Sequence, residues 1–419
     1  NVDSKNHASL HAVWALGQLY RNGVESAASH LISSLVSENA EIRANAARTC
    51  GDISLTSSKE PLIALLNDSS KRVVSLAAIA LGRVAPSGDQ EAVGALFKRC
   101  EVNKGSSFDV TVRHAILSAL SRLASPDQTL ATVKSGSFEK RMLSLLVCRR
   151  MGHPHLDLFL DDDSSAIRNE AVSAIYDTNA LDSPSGKKLI PMNLEDFPFH
   201  QQVRLIAAYF RIGTAEAAEA LINVCATSNL KEEVRVFAME ALLRWSLPMD
   251  TDPVLGHYRP TLKSTFTRSD LVKVHGEKIR TLVEKEKAPK LASILGRFVM
   301  EAGISMNPEV LRKQILDTKL NPEVRASNLR SLLSLNDIVD NKIITKLIED
   351  NSGLVRSVSY YGLLEREIDN SVERAIQAVK EDEPVVARSI FEVLSIQKPQ
   401  VLIDIWKERE LNLRNELWL

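Results

Sequence analysis

The stretch NPEVRASNLRSLL, residues 321–333, contains a pattern that returns along the chain. An aliphatic residue stands before an arginine, and in most copies a small residue follows three positions later. Shorter echoes are AEIRANAARTC from residue 40, SAIRNEAVSAI from 165, KEEVRVFAMEAL from 231 and SGLVRSVSYYGLL from 352. Repetition of one short pattern indicates that one structural unit is repeated.

The pattern keeps a period in the low thirties. Its arginines stand at 43, 113, 168, 204, 235, 325, 356 and 388, and Val74 takes the same place in one copy. The 55 residues between Arg113 and Arg168 divide into two units around FEKRMLSLLVCRRM, and the 90 residues after Arg235 divide into three. A period kept from end to end predicts one continuous repeat array over residues 1–419.

Each unit has the apolar spacing of two short helices. After the motif position, apolar residues recur at helical intervals, as in VVSLAAIAL from residue 73, and a second apolar stretch such as EPLIALLND stands near it. Small residues are predicted to lie where stacked helices approach closely, namely Ala46, Ala77, Ala171, Ala207, Ala238 and Ser359. Leucine in place of Ala77 or Ala171 is therefore expected to overpack the contact.

Acidic residues stand in the turns ahead of several motif arginines. They are Asp68, Asp162, Asp350 and Asp382. These positions suit helix capping and also a ladder of hydrogen bonds to the arginine or the backbone of the next unit. The motif therefore predicts structure and not a reaction.

The pattern resembles the HEAT repeat, in which paired helices stack into a right-handed α-solenoid. The resemblance implies an all-α fold of about a dozen helix pairs. Two segments interrupt the rhythm and are predicted as loop insertions, near 100–109 and over 178–202, because both are rich in turn-forming residues. Residues 245–290 are predicted to form an irregular repeat.

The composition narrows the classes of partner. The 52 basic and 53 acidic residues give a formal charge of -1, so binding to phosphate or to an anionic membrane would need a local basic patch. No apolar run reaches the length of a membrane span.

The four cysteines contain no C-x-x-C pair and are expected to be small buried residues. The start, NVDSKNH, and the helix-like end favour a piece of a longer protein.

Two stretches carry a closer resemblance: LHAVWAL, residues 10–16, and EALLRWSLPMDTDPVLGHYRP, residues 240–260. They are similar to the HEAT-repeat region of membrane-bound dehydrogenase-like proteins of the planctomycete and verrucomicrobial type. The matching residues are Trp245, Pro248, Asp252, Val254, Gly256, Arg259 and Pro260. The resemblance implies a bacterial, periplasmic or exported parent with a propeller and a c-type cytochrome domain. This sequence has neither the haem motif nor a run of short strands.

The same region supplies the candidate interaction cluster, formed by Trp245, His257, Tyr258 and Arg259. Tryptophan, tyrosine and arginine are the residue types that anchor protein interfaces. The alternative is that Pro248 and Pro253 end a helix, while Trp245 and Tyr258 fold the loop back on the repeats. Both interpretations stay open on the sequence alone.

Other polar motifs favour structural interpretations. HPHLDLFLDDDSS offers His153, His155, Asp157 and Asp161 to Asp163, but its acids fall where other repeats carry turn acids, so no metal site is predicted. SPSGKK departs twice from a phosphate-binding loop and is predicted to be a flexible loop. The basic run KVHGEKIRTLVEKEKAPK, 273–290, is interleaved with Glu277, Glu284 and Glu286, which favours a solvated helix over a nucleic-acid surface.

No motif names a catalytic residue or a cofactor. The leading hypothesis is a non-catalytic scaffold that contacts a protein partner or neighbouring domains, without nucleic acid and without a membrane span. One alternative is a repeat-fold enzyme that resembles the helical-repeat bilin lyases or the DNA-alkylpurine glycosylases. Another is a stand-alone adaptor with a peptide partner.

Overall fold

The structure is a computed structural model that describes residues 2–101, 109–131, 133, 136–261, 264–304, 306–333, 340–368 and 370–408. The chain divides into two compact units, Asn1–Leu189 and Ile190–Leu419. Each unit is described by itself. The prediction of one array that continues across both units stays a prediction.

The described residues form 23 α-helices and four short 3-10 turns, and no strand is found among them. In the first unit the helices are α1 (Val2–Arg21), α2 (Ala27–Ser34), α3 (Ala40–Asp52), α4 (Lys59–Leu65), α5 (Lys71–Val84), α6 (Gln90–Glu101), α7 (Val110–Leu123), α8 (Pro126–Leu130), α9 (Phe138–Met151), α10 (Ser165–Asp177) and α11 (Pro184–Lys187). In the second unit they are α12 (Phe199–Ile212), α13 (Ala215–Ala226), α14 (Glu232–Leu243), α15 (Arg268–Lys285), α16 (Pro289–Ala302), α17 (Pro308–Leu316), α18 (Pro322–Leu333), α19 (Asn341–Leu347), α20 (Gly353–Glu365), α21 (Ser371–Glu381), α22 (Pro384–Gln397) and α23 (Pro399–Glu408).

Local signals explain where these helices begin and end. Asn39 caps α3 by accepting from the N–H of Glu41 at 2.8 Å, and Asp109 caps α7 in the same way. Each side chain satisfies an N–H that has no partner within the helix. Gly152 and Gly213 end α9 and α12 in the left-handed conformation, which glycine adopts without a steric penalty.

The motif helices stack directly on one another. In the first unit the stack runs α1, α3, α5, α7, α9, α10, and in the second it runs α12, α14, α16, α18, α20, α22. The intervening helices pack on the stack, as α4 does on α5 and α17 on α18. The all-α helical-repeat fold predicted from the motif is confirmed.

The order of the stacked helices shows how many units lie in each of the two long intervals between motif arginines. The interval after Arg113 divides into two units, with Arg141 of α9 between them, as predicted. The interval between Arg235 and Arg325 was predicted to hold three units and instead holds two, from α14 to α16 and from α16 to α18. The reason is that the residues between α14 and α15 form an extended loop in place of a helix pair.

Buried aliphatic side chains of successive helices make one apolar cluster in the first unit. It extends from Val13 of α1 through Leu62, Leu81 and Leu120 to Val147 of α9. Fully burying one such side chain stabilises the fold by about 1.5–3 kcal/mol. The small motif residues are buried as predicted: Ala46, Ala77, Ala171, Ala207, Ala238 and Ser359.

Helix backbones approach each other closely at two glycines that the motif does not include. A Cβ placed on Gly51 of α3 would stand 2.8 Å from the Cα of Ala80 in α5. A Cβ on Gly82 of α5 would likewise stand 2.8 Å from the Cα of Ala119 in α7. Because the obstructing atoms belong to backbone, only glycine permits this spacing.

Residues 178–202 differ from the predicted loop. They contain helical turns at Asn179–Asp182, Pro184–Lys187 and Leu194–Asp196. Apolar side chains at Leu181 and Leu189 are buried, so they hold residues 178–189 against the first unit. Of the other predicted insertion, residues 102–108 lie outside the described part of the chain. Within the described ranges, no helix has both the length and the apolar character needed to cross a bilayer.

Candidate functional site

Several arginines of the stacked helices bind a carboxylate in the following unit. The ion pairs are Arg43 with Asp68, Arg141 with Asp162, Arg325 with Asp350 and Arg356 with Asp382. Each arginine donates from two of its guanidinium nitrogens to its carboxylate, for example Arg43 from Nε at 2.7 Å and Nη2 at 3.0 Å. Such paired hydrogen bonds fix both the distance and the orientation of two neighbouring units.

One of the two predicted kinds of bond is present and the other is reversed. The carboxylate of Asp350 accepts from the N–H of Ser352 at 3.0 Å, which is the predicted bond to the backbone of the next unit. Asp350 does not accept from the side chain of the following motif arginine but from that of the preceding one, Arg325, at 2.5 Å. The following arginine, Arg356, donates to the backbone carbonyl of Asp350 at 2.6 Å. Arg356 then binds Asp382. Each arginine–carboxylate pair is called a rung below. The turn that carries the acid of one rung also binds the arginine of the next rung.

The acids of the ladder are stabilised in the charged form. Hydrogen bonds from Arg43 hold the pKa of Asp68 below its usual value, in spite of burial. Burial acts to raise the pKa of Asp350, but hydrogen bonds from Arg325 and from the N–H of Ser352 outweigh it, so that pKa is also lowered. These groups serve the fold and leave no proton available for catalysis.

One rung has a different acid. Arg235 of α14 pairs with Glu286, and both side chains are buried. Glu286 also accepts from the N–H of Ala288 at 2.9 Å, in the turn that leads into α16. It therefore occupies the place that Asp350 has before α20. The sequence interpretation of Glu286 as part of a solvated face was wrong, and its position directly ahead of a motif helix was the signal.

Between α14 and α15 the chain forms an extended hairpin, defined here as residues 249–261. Its two arms are joined by backbone hydrogen bonds from Arg259 N–H to Asp250 carbonyl at 2.7 Å and from Thr261 N–H to Met249 carbonyl at 3.0 Å. Thr251 and Tyr258 form an antiparallel bridge at its centre. The predicted irregular repeat is therefore a hairpin followed by the 18-residue helix α15.

A fully buried carboxylate organises this hairpin. Asp252 accepts from the N–H groups of Val254 and Leu255, each at 2.9 Å, and from Arg259 Nη1 at 3.2 Å. Arg211 of α12 lies 3.8 Å from the same carboxylate and donates to the carbonyl of Arg259 at 2.9 Å. A buried charge with this many partners holds the tip in one conformation.

Trp245 anchors the base of the hairpin and is buried. Its Nε1–H donates to the carbonyl of Phe266 at 2.7 Å, and its ring meets the ring of Phe210 edge-on at 6.2 Å between centroids. Trp245 thus packs against its own unit, as the alternative interpretation predicted for it.

The other three members of the predicted cluster differ in their exposure to solvent. Arg259 is held inside the hairpin by Asp252, whereas His257 and Tyr258 face solvent. Tyr258 is 75% exposed and Leu247, at the hairpin base, is 52% exposed. The structure therefore contradicts the idea that Tyr258 folds back on the repeats. The hairpin presents one aromatic and one aliphatic side chain on a rigid support.

Residues considered for a metal or for phosphate have structural partners. Asp157 accepts a hydrogen bond from the hydroxyl of Ser185 at 2.6 Å, and the His153 and His155 rings lie 5.6 Å apart. In the described part of the chain no group of three potential ligands is placed to hold a metal ion. SPSGKK is not a flexible loop, because Pro184–Lys187 is helical and Ser185 is buried.

All four cysteines are buried with free thiols. Burial raises the pKa of Cys50 to about 11 and the pKa of each of the other three, Cys100, Cys148 and Cys225, to about 12. The thiols are therefore protonated at neutral pH and are weak nucleophiles. The expectation that they are small buried residues is confirmed.

Comparison with protein families places one part of the chain. Residues 28–121 match the family model described as HEAT repeats. This segment is similar to a run of HEAT repeats. It begins in α2 and ends in α7, and so includes the helices that meet at Gly51 and Gly82. Among curated proteins, none matches the chain.

Solved structures with a similar arrangement include three of different kinds. An engineered protein is 17% identical, with 82% of this chain and 98% of that chain covered and a TM-score of 0.36. Kap121p bound to Ste12p is 13% identical, with 94% and 44% covered and a TM-score of 0.33. A homology model of the full-length AP-3 complex is 12% identical, with 98% and 84% covered and a TM-score of 0.38.

Proposed function

We propose that this chain is a non-catalytic helical-repeat scaffold that holds a protein partner or a neighbouring domain through the hairpin. The observation that carries the proposal is that an exposed tyrosine, Tyr258, stands on a hairpin whose backbone is held by a buried carboxylate. Asp252, 0% exposed, and two arginines hold the hairpin in one conformation, yet its tip contributes no core residue. Because the backbone that carries Tyr258 is already ordered, binding of its ring in a partner's pocket costs little backbone entropy, and aromatic residues dominate interface energetics.

The composition of the surface formed by the hairpin and the two residues before it fits a protein partner. Leu247, Pro248, Pro253 and Tyr258 are exposed apolar or aromatic residues, and the imidazole of His257 lies beside them. Interface centres are enriched in such residues and depleted of charge. A scaffold of this kind needs no cofactor, and none is proposed.

The test compares Tyr258→Ala with Tyr361→Ala, a second exposed tyrosine that lies on α20 of the same unit. Tagged full-length chains are purified from the native host and their associated proteins are quantified by mass spectrometry. We expect at least one protein to be retained by the wild type and by Tyr361→Ala but lost with Tyr258→Ala. Identical sets of associated proteins for all three chains would refute the hairpin as the docking surface.

We further propose that the scaffold belongs to an exported bacterial assembly of the dehydrogenase type. The support is sequence resemblance: Asp252, Gly256 and Arg259, three of the matching residues, lie in the hairpin itself. Fractionation of host cells with an antibody to the chain should find it outside the cytoplasm. Haem or quinone absorbance in the purified chain, or sugar oxidation without other chains, would overturn the scaffold proposal.

A further inference from the structure

A cleft opens between α16 and α18 on the face that these stacked helices share. Its volume is about 280 Å³, and it is lined by Ser293, Ile294, Gly296, Arg297, Ser327 and Arg330. The two helices are close here because Gly296 has no side chain: a Cβ on it would lie 2.1 Å from Ser327 Oγ. This contact places two arginines from successive repeats at one opening.

The charge of the cleft is only partly compensated. Arg297 lies 3.6 Å from Glu301, but Glu301 also accepts from Arg268 at 3.3 Å. In the described part of the chain, no carboxylate lies within ion-pair distance of Arg330, which is exposed. Arg297 and Arg268 therefore share one carboxylate, and Arg330 has none within the described ranges, whereas the ladder arginines each have their own acid.

We propose that this cleft binds a carboxylate side chain of an acidic segment in the partner protein. Arginine pairs recognise carboxylates through paired charge-assisted hydrogen bonds, and the two guanidinium groups line the same opening. The cleft lining contains no aromatic residue on which a nucleic-acid base could stack, and two arginines would release few counterions from a nucleic acid. The inference rests on the proposed scaffold function, since it names the chemistry of the partner.

The proposal is tested with two fluorescein-labelled peptides, hexaglutamate and hexaglutamine, by fluorescence anisotropy with the full chain. The informative variant is Arg297→Gln with Arg330→Gln. The matched control is Arg122→Gln with Arg150→Gln, which removes the same charge from two exposed arginines in α7 and α9. Circular dichroism melts establish that both variants fold.

We expect hexaglutamate to bind the wild type and hexaglutamine to bind it at least about tenfold more weakly, since hydrogen bonds to charged groups are the stronger ones. The Arg297 and Arg330 variant should weaken hexaglutamate binding by about tenfold or more, and the control by less than about twofold. Equal affinity for both peptides, an equal loss in both variants, or no hexaglutamate binding to the wild type would overturn the proposal.

These outcomes are distinguishable from failure of the scaffold function. The peptide assay uses no cellular partner, and the hairpin test uses no synthetic peptide. Loss of the partner with Tyr258→Ala together with a negative peptide assay would leave the scaffold and remove the cleft. The reverse result would keep the cleft as a carboxylate site and remove the hairpin.

Discussion

The step from α5 to α7 and the steps from α18 to α22 are built from the same repeat but stack by different means. Helices α5 and α7 meet at Gly82, where backbone approaches backbone. The step from α3 to α5 combines a glycine contact at Gly51 with the Arg43–Asp68 ion pair. From α18 to α22 the helices are linked by Arg325–Asp350 and Arg356–Asp382. In α5 the motif arginine is replaced by Val74, and in α7 Arg113 is exposed.

The difference shows that the ion pair is not required at every step of the stack. Between α5 and α7, dispersion and apolar burial hold the helices without a motif arginine. From α18 to α22 a buried ion pair also fixes the spacing, and its value depends on both partners being present. The two kinds of step should therefore respond differently to substitution and to pH.

The largest effect is expected from Asp350→Ala. It leaves the Arg325 guanidinium, which is 4% exposed, without its carboxylate, and loss of one partner of a buried pair typically costs about 3–5 kcal/mol. Urea denaturation should show the loss, and hydrogen exchange should speed up in α18 and α20. Arg388→Ala, on a 77% exposed side chain, is the control. Equal denaturation midpoints for the two variants would show that the rung contributes nothing.

Glycine contacts are tested by Gly82→Ala against Gly94→Ala. The first places a methyl group against the backbone of Ala119 and should cost about 1–3 kcal/mol. The second adds a methyl group in open space within α6, where alanine is the better helix former by about 0.5–1 kcal/mol. Thermal melts should therefore shift in opposite directions. A neutral Gly82→Ala would mean that α5 and α7 are not in close contact.

Acid should weaken the rungs selectively. The pKa of Asp350 is lowered in the folded chain, whereas the pKa of an aspartate in an unfolded chain is about 3.9. Below that value the unfolded state binds more protons, so the stabilisation is complete above about pH 4 and is lost as the pH falls through the lowered pKa.

Stability measured between pH 6 and pH 2 should thus fall less steeply in Asp350→Asn than in the wild type. Gly82→Ala should keep the slope of the wild type, because no titratable group is changed. If Asp350→Asn retained the full slope, other carboxylates would account for the acid sensitivity.

The smallest effect is expected from Arg113→Ala. This residue has the motif position of Arg356 but is exposed, so its removal should change the free energy of unfolding by no more than about 0.5 kcal/mol. Urea midpoints for Arg113→Ala and Arg356→Ala, measured side by side, make the comparison directly. A similar large loss in both would place Arg113 in a rung.

The repeat could be predicted because its signal is local and recurs. The helical spacing, the buried alanines and the turn acids can each be recognised within about ten residues, so the all-α fold follows from the sequence. The partner of each acid could not be assigned, since Asp350 lies 6 positions from Arg356 but 25 from Arg325, and the nearer arginine is the wrong partner for its carboxylate. Choosing Arg325 requires the three-dimensional stack.

The hairpin was harder to predict because its organisation depends on long-range contacts. Asp252 of the hairpin pairs with Arg211 of α12, and nothing in the local sequence shows that pairing. In the predicted cluster Trp245 is buried and Tyr258 is exposed, a difference that depends on tertiary packing and has no local signal in the sequence. The cleft at Arg297 and Arg330 has no sequence signal beyond two arginines on successive helices.

The protonated, buried thiols make the chain convenient for spectroscopy. Alkylating reagents attack thiolates, so maleimides should react slowly with Cys50 and the other native cysteines while the fold is intact. A cysteine introduced by Tyr258→Cys would stand on the exposed hairpin and take a fluorophore or spin label selectively. Distance measurements on the hairpin could then be made without first removing any native residue.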